Sequence, residues 1–364
     1  MSKLLSQGSF GCIFYPGIKC NKTSVYNDQT ITKIQHKNKQ SANEMELGYI
    51  IRNIPEYTLF FLPVISECSI NLRKISQKEI SKCKIIKKYK NKYVAMEVPY
   101  LKEITFLNMV KTKPSKDIIL TVIESYNYLL MALEKLNQVN IVHFDLKLEN
   151  ILFSESSYDP RIIDFGISIP IHKLSNTNMK NFFYSYAPEY YVWCIEIHII
   201  CFLLHETKDA LSEEDAEIIA TLYVGNNRAL EFFSTEYSQT YLEECITQVK
   251  TYVDKPKQEL IWELIGHSDT WDNYSVSVMY LRMITILFPE GNTKNTFLPR
   301  FGKLLAQNIH PDPRKRLTIA DSEKQFSDIF YMDEEVENYI QIAKQFEHYK
   351  PMITKKLSRQ LNSI

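Results

Sequence analysis

Three short apolar runs constrain this chain more than any other feature. Ile141-Val142 and Ile151-Leu152-Phe153 bracket the polar stretch His143-Phe-Asp-Leu-Lys-Leu-Glu-Asn150, and Ile162-Ile163 leads into Asp164-Phe-Gly166. Runs of this length read as buried strands that pin a polar loop between them. The loop presents Asp145, Lys147 and Asn150 in fixed order, and a second aspartate follows ahead of a glycine. That set suits phosphoryl transfer, which asks a protein for in-line positioning, metal ions on the phosphate oxygens and a carboxylate that orients the incoming hydroxyl. Asp145 fits the last role, and Asn150 and Asp164 fit the magnesium ligands. An HxD or a DFG alone is cheap. Both together at this spacing are not.

Read outward from that core, the chain resembles the eukaryotic-type protein kinases between residues 4 and 320, although a long segment within that range does not match. The resemblance implies an α+β, bilobal protein-kinase-like fold, with a small β-rich N lobe and a larger helical C lobe carrying a helical insertion. Residues 1–97 would form the N lobe, 98–102 the hinge and 103–320 the C lobe. The insertion would span 190–270 and a C-terminal helical extension 321–364.

Leu5-Ser-Gln-Gly-Ser-Phe-Gly-Cys-Ile13 resembles the Gly-rich loop over the ATP phosphates. Gly8 and Gly11 would admit close backbone approach and Phe10 would cap the tip, while Ser6 stands where the family has its first glycine. Ser9 belongs to the same loop, and Cys12 would lie over the phosphates, more readily as a passive small residue than as a reactive thiol. The strand lysine is best placed at Lys33, with Lys37 and Lys39 as rivals, and Ile31 would narrow the adenine slot. Its carboxylate partner on the next helix is expected to be Glu46, with Glu44 as the alternative. In Tyr93-Val-Ala-Met-Glu-Val-Pro-Tyr100, Met96 would guard the back of the adenine pocket. Backbone groups of Glu97 and Val98 would bond the adenine edge.

Further along, Asp164 to Tyr186-Ala-Pro-Glu189 has the length of an activation segment. Arg316 resembles the C-lobe arginine that pairs with the glutamate of that motif, here Glu189. Trp271-Asp-Asn-Tyr-Ser-Val-Ser277 resembles the start of the central C-lobe helix, with Asp272 bonding the catalytic-loop backbone. His143, Glu189, Asp272 and Arg316 are expected to be structural. Lys147 resembles the serine/threonine branch and would stabilise charge on the transferring phosphoryl group. Two departures bear on control. Phe144 stands where the family has the arginine that receives an activation-segment phosphate, and Phe182 at the position of a substrate-platform threonine.

Between Glu189 and Asp272 the chain has helical periodicity, as in Ser212-Glu-Glu-Asp-Ala-Glu-Ile-Ile-Ala and Tyr241-Leu-Glu-Glu-Cys-Ile. We expect an ordered helical subdomain whose Leu222, Tyr223, Ile246 and Val249 pack on the C lobe and order the activation segment. This insertion, with Phe60-Phe-Leu-Pro-Val64 and Trp193-Cys-Ile-Glu-Ile-His198, narrows the resemblance to serine/threonine kinases of nucleocytoplasmic large DNA viruses.

Composition adds limits. With 43 basic and 43 acidic residues the chain makes no global bid for nucleic acid or membrane. The cluster Lys82, Lys84, Lys87, Lys88, Lys90 and Lys92 reads as a solvated hairpin, with a contact for acidic partners as the alternative. Seven scattered cysteines without a CxxC pair lead us to expect reduced thiols in the cytoplasm, or a virion location for a viral protein. The apolar span 192–204 is too short for a bilayer and carries Glu196 and His198, so it reads as a buried helix rather than a metal site. No signal pattern precedes the Gly-rich segment. The expected function is an ATP- and Mg2+-dependent (or Mn2+-dependent) kinase acting on serine/threonine hydroxyls of proteins, without activation-segment phosphorylation. A pseudokinase scaffold or binding module and a small-molecule phosphotransferase are the alternatives.

Overall fold

The computed structural model describes residues 2–8, 11–18, 26–70, 72, 76–86, 92–206, 208–288, 296–330 and 335–362, the side chains of 335–339 and 359–362 excepted. Ser9, Phe10 and most of the lysine-rich hairpin (87–91) lie outside the described residues. The fold is α+β, as expected, with a β-rich N-terminal part and a helical C-terminal part. It divides into two compact units, Met1–Glu103 with Asn150–Ser168, and Ile104–Glu149 with Ile169–Ile364.

The first unit is built on an antiparallel sheet of β1 (Lys3–Gln7), β2 (Gly11–Tyr15), β3 (Thr30–His36), β4 (Ser66–Ser69) and β5 (Tyr93–Pro99), in the order β1-β2-β3-β5-β4. Alternation along the strands sorts side chains to two faces. Cys12, Phe14, Ile34 and Tyr93 enter one core with Leu72, Ile80 and Cys83. Val94, Met96 and Val98 enter another with Val64. Helix α1 (Lys39–Arg52) opens on a reciprocal capping box between Asn38 and Ser41, which fixes its phase. Its buried stripe is then Ser41, Glu44, Leu47, Gly48 and Ile51. Gly48 abuts the Val64 backbone so closely that a Cβ would collide with the Val64 carbonyl. In the same unit β7 (Ile151–Ser154) pairs antiparallel with β8 (Pro160–Ile162), the apolar runs that frame the polar motifs.

The second unit is organised by α2 (Ser115–Gln138) and α7 (Trp271–Leu287). Nearly every residue of α7 is buried, the polar Asp272, Asn273, Ser275 and Ser277 included, so its polar groups must find partners inside the unit. β6 (Ile141–Val142) pairs with β9 (Ile169–Pro170) ahead of the catalytic-type loop. The run read as a buried helix is α3 (Ile195–His205). The segment expected to be an insertion holds α4 (Glu213–Asn226), α5 (Thr235–Lys250) and α6 (Lys257–Ile265), α4 starting at a Ser212–Asp215 capping box. These helices are tied inward by buried hydroxyls. Tyr223 lies 3.1 Å from the Tyr241 hydroxyl and donates to Tyr274 of α7 at 2.7 Å, and Tyr241 donates to the Ile309 carbonyl at 2.6 Å. Tyr223 and Val249 are buried, but Leu222 stays 39% exposed and Ile246 is half-buried. Leu222 is therefore on the outer face of α4, one residue out of phase with the buried stripe of Ala216, Ile219, Ala220 and Tyr223. After α7 the chain forms α8 (Leu298–Asn308), α9 (Ile319–Phe330) and α10 (Glu335–Asn362). α10 lies against α2, with Ser115 bonded to Glu347 and Lys350 donating to the Lys113 carbonyl at 2.7 Å.

Candidate active site

In the first unit the site is built around Lys33. Its ammonium donates to Glu44 at 2.7 Å and to Asp164 at 2.8 Å. Glu44 also accepts from Gln35 at 3.0 Å. The lysine is 7% exposed. Burial works against its charge, but the Glu44 and Asp164 carboxylates outweigh burial and hold the ammonium well above its ordinary range.

Glu46, the expected partner, is exposed, and the ion pair belongs to Glu44. The reason is helix phase. Glu44 follows Ser41 by three residues and precedes Gly48 by four, so it shares their buried face. Two residues further on, Glu46 is turned some 200° away.

The register Ile13↔Lys33 puts Ile13 beside the lysine, on the face toward which Gly11 opens. A Cβ on Gly11 would stand 3.2 Å from the Lys33 Cγ, a tight contact that would press on the lysine stem. Gly8 closes the hairpin by donating to the Gly11 carbonyl at 2.9 Å, and Leu5, Ser6 and Gln7 are exposed along β1. Cys12 corrects an expectation. It points to the opposite side of the strand from Lys33, fully buried, and is disulfide-bonded to Cys83; Cys68 is disulfide-bonded as well. Uniformly reduced thiols are thus not what the structure holds, and only Cys194, Cys201 and Cys245 are free among the described residues. Sequence spacing gave no sign of a bridge between residues 71 apart.

Met96 is buried opposite Lys33 in the β3–β5 register and Ile31, half-buried, opposite Val98. Strand β5 continues through Val98 to Pro99, and the Glu97 carbonyl accepts from the Ile65 N–H at 2.8 Å. Asn150 is buried just ahead of β7, its carbonyl accepting from the Ile163 N–H at 3.0 Å. Asp164 sits at φ 64°, a left-handed conformation that a non-glycine residue keeps only where its surroundings impose it. An amide oxygen and a carboxylate are hard donors of the kind Mg2+ or Mn2+ takes alongside phosphate oxygens, so this pair fits such an ion. No cluster of three or more His, Cys, Asp or Glu side chains that could hold a metal occurs among the described residues.

In the second unit the centre is Asp145. Lys147 donates to its two oxygens at 2.9 and 3.1 Å, and the Tyr190 hydroxyl donates to Oδ1 as well. The loop is held from beneath by Asp272, which accepts from the His143 N–H at 2.6 Å and the Phe144 N–H at 3.1 Å. Burial pushes the Asp272 carboxyl up, against the pull of His143 and those two N–H groups. His143 is fully buried, and Phe144 takes φ 70°.

Arg316 does not meet Glu189, which is exposed. Its guanidinium forms a two-pronged pair with Glu196, at 2.7 Å on each prong. Glu196 stands in the first turn of buried α3, where it faces the core, whereas Glu189 precedes that helix on an irregular surface stretch. Sequence reading also missed Tyr190. Phe182 lies in the short helix Met179–Phe182, and the hydroxyl that reaches Asp145 belongs to Tyr190.

The chain matches the protein kinase domain family over residues 3–191. It belongs to that family. The match takes in Lys33, Glu44, Asp145, Lys147, Asn150 and Asp164, and ends just before the helices that depart most from the family pattern. No curated protein matches the chain. As a protein kinase it is a transferase that uses ATP and divalent metal and acts on protein substrates. No helix among the described residues is long and apolar enough to cross a membrane.

Proposed function

We propose that this kinase transfers the γ-phosphoryl group of Mg-ATP to serine and threonine hydroxyls of proteins, and that it does so without a phosphate on its activation segment. The observation that carries the first half is Asp145 bridged by Lys147, the pairing that suits an aliphatic acceptor hydroxyl. Lys33, oriented by Glu44, holds the α- and β-phosphates. Asp145 orients the acceptor hydroxyl and takes its proton as the new oxygen–phosphorus bond forms and the bond to the bridging oxygen of ADP breaks. Lys147 offsets charge on the moving phosphoryl group. Asn150 and Asp164 would hold the metal ion, which when bound neutralises phosphate oxygens.

Independence from phosphorylation is supported by what surrounds Phe144. Its buried ring packs on Phe183 at 5.6 Å and Trp193 at 4.8 Å, where a phosphate-receiving arginine would otherwise lie. Trp193 donates to the Phe144 carbonyl at 2.8 Å, and His205 bonds the Phe183 carbonyl at 2.9 Å. From the inserted helices, Trp262 donates to Asn176 at 2.9 Å, a direct tether on the segment. Apolar burial and fixed hydrogen bonds thus order what phosphate orders elsewhere. The helical insertion and the Trp193–His198 run support an origin among nucleocytoplasmic large DNA viruses. Of a host-cytoplasmic and a virion location, the Cys12–Cys83 disulfide favours the virion, because cytosolic thiols are kept reduced.

Radiolabelled ATP with generic acceptor proteins tests the reading. Wild type should label serine and threonine, before and after phosphatase treatment, and Asp145→Asn should lose several orders of magnitude in rate. Unchanged turnover in Asp145→Asn, or phosphotyrosine as the main product, overturns the acceptor assignment. Collapse after phosphatase treatment overturns the regulatory half.

A further inference from the structure

We propose that Tyr190 is a positioning residue for the acceptor-orienting carboxylate, fixing Asp145 and Lys147 in the arrangement that receives the substrate hydroxyl. The inference rests on Asp145 having the role given above.

Three groups form a closed set. The Tyr190 hydroxyl donates to Asp145 Oδ1, Lys147 donates to both Asp145 oxygens, and Lys147 Nζ lies 3.3 Å from the Tyr190 hydroxyl. The lysine also stands over the Tyr190 ring, 5.5 Å from its centroid. The tyrosine is held from behind. Its ring meets the buried Trp193 indole edge to face at 4.9 Å, and its carbonyl accepts from the Trp193 N–H at 3.1 Å. Trp193 in turn bonds the carbonyl of Phe144, the residue preceding Asp145. The chain of contacts therefore leaves the catalytic-type loop at Phe144, passes through Trp193 and Tyr190, and returns to the same loop at Asp145.

A side chain braced in this way acts as a strut. A mobile plug would lack the Trp193 brace. Burial and the Asp145 charge push the Tyr190 hydroxyl far above its ordinary range, so it stays protonated and can only donate to the carboxylate. Tyr184 and Glu149 are the other titratable groups that face it, and neither supplies a competing cation. Held by two donors, Asp145 is restrained about its side-chain torsions before any acceptor arrives. That restraint is the part of general-base catalysis a protein can build in advance.

Tyr190→Phe keeps the ring, the Trp193 contact and the fold, and deletes only the hydroxyl. Its kcat on a serine-containing acceptor should fall about tenfold with Mg-ATP affinity by calorimetry and the unfolding midpoint unchanged. KM for the acceptor should change far less than kcat, because the lost hydroxyl orients the carboxylate and does not bind the substrate. A merely structural role would not lower kcat alone while KM, Mg-ATP affinity and the unfolding midpoint stay in place. Equal or faster turnover in Tyr190→Phe, with Asp145→Asn inactive, overturns the inference by itself. Asp145→Asn with wild-type turnover overturns the reading beneath it, and the inference with it.

Discussion

Replacing Glu196 by glutamine keeps the shape of α3 and removes the charge that the Arg316 guanidinium faces. Both side chains are essentially without solvent, 0% exposed for Glu196 and 1% for Arg316. Arg316 has two other acceptors, the His310 carbonyl at 2.9 Å and the Thr270 hydroxyl at 3.1 Å, so it cannot swing out to water without abandoning them. Breaking a buried pair from one side typically destabilises by about 3–5 kcal/mol, since the remaining ion is left desolvated. With a slope of about 3 kcal/mol per M urea for a unit of this size, the midpoint should fall by roughly 1 M or more. The chain's three tryptophans, Trp193, Trp262 and Trp271, all lie in the same unit as the pair, so their fluorescence reports the relevant transition. Glu189→Gln, at an exposed position, should stay within about 0.5 kcal/mol of wild type. The double variant Glu196→Gln/Arg316→Met should recover part of the loss, because it leaves no unpaired ion. Equal shifts for the two glutamate variants, or no shift for Glu196→Gln, would refute the assignment of the pair.

Two further outcomes can be measured directly. Glu44→Gln should lower kcat/KM by about two decades, because a buried Lys33 loses the nearer of its two carboxylates, while Glu46→Gln should leave it nearly unchanged; steady-state kinetics with varied ATP separates them, and the reverse order would restore Glu46 as the partner. His198 is buried between Trp193 and Tyr223, and the Trp193 and Tyr190 backbone offsets only part of the cost of charging it there. Burial lowers its pKa from 6.5 to about 4, so the unfolded chain binds the extra proton first as the pH falls. Stability is therefore unaffected by this group above pH 6.5 and is lost progressively toward pH 4, by up to about 3 kcal/mol. Urea midpoints across that range should show the loss in wild type and a flatter profile in His198→Leu; identical slopes would remove His198 as a contributor.

The order of chemistry-bearing residues could be read directly from the chain. Asp145, Lys147, Asn150 and Asp164 follow each other within a few residues, framed by apolar runs that became β6, β7 and β8, and short-range spacing carries that information by itself. The insertion's helices could be read for the same reason, since capping residues and apolar periodicity are local. Pairing across long stretches could not. Glu44 and Glu46 differ by two positions in sequence but by most of half a turn on α1, and it is the Asn38 capping box together with the Gly48–Val64 contact that sets which one faces Lys33. Glu189 and Glu196 both precede the helix-rich segment, and only the burial of α3 decides which meets an arginine 120 residues away. The Cys12–Cys83 bridge and the Tyr190–Asp145 contact belong to the same class. The sequence alone determines which groups are available and the phase of each local element. The tertiary structure decides their partners, because a buried charge or thiol must be matched by whatever the packing of distant segments brings within hydrogen-bonding or bonding distance.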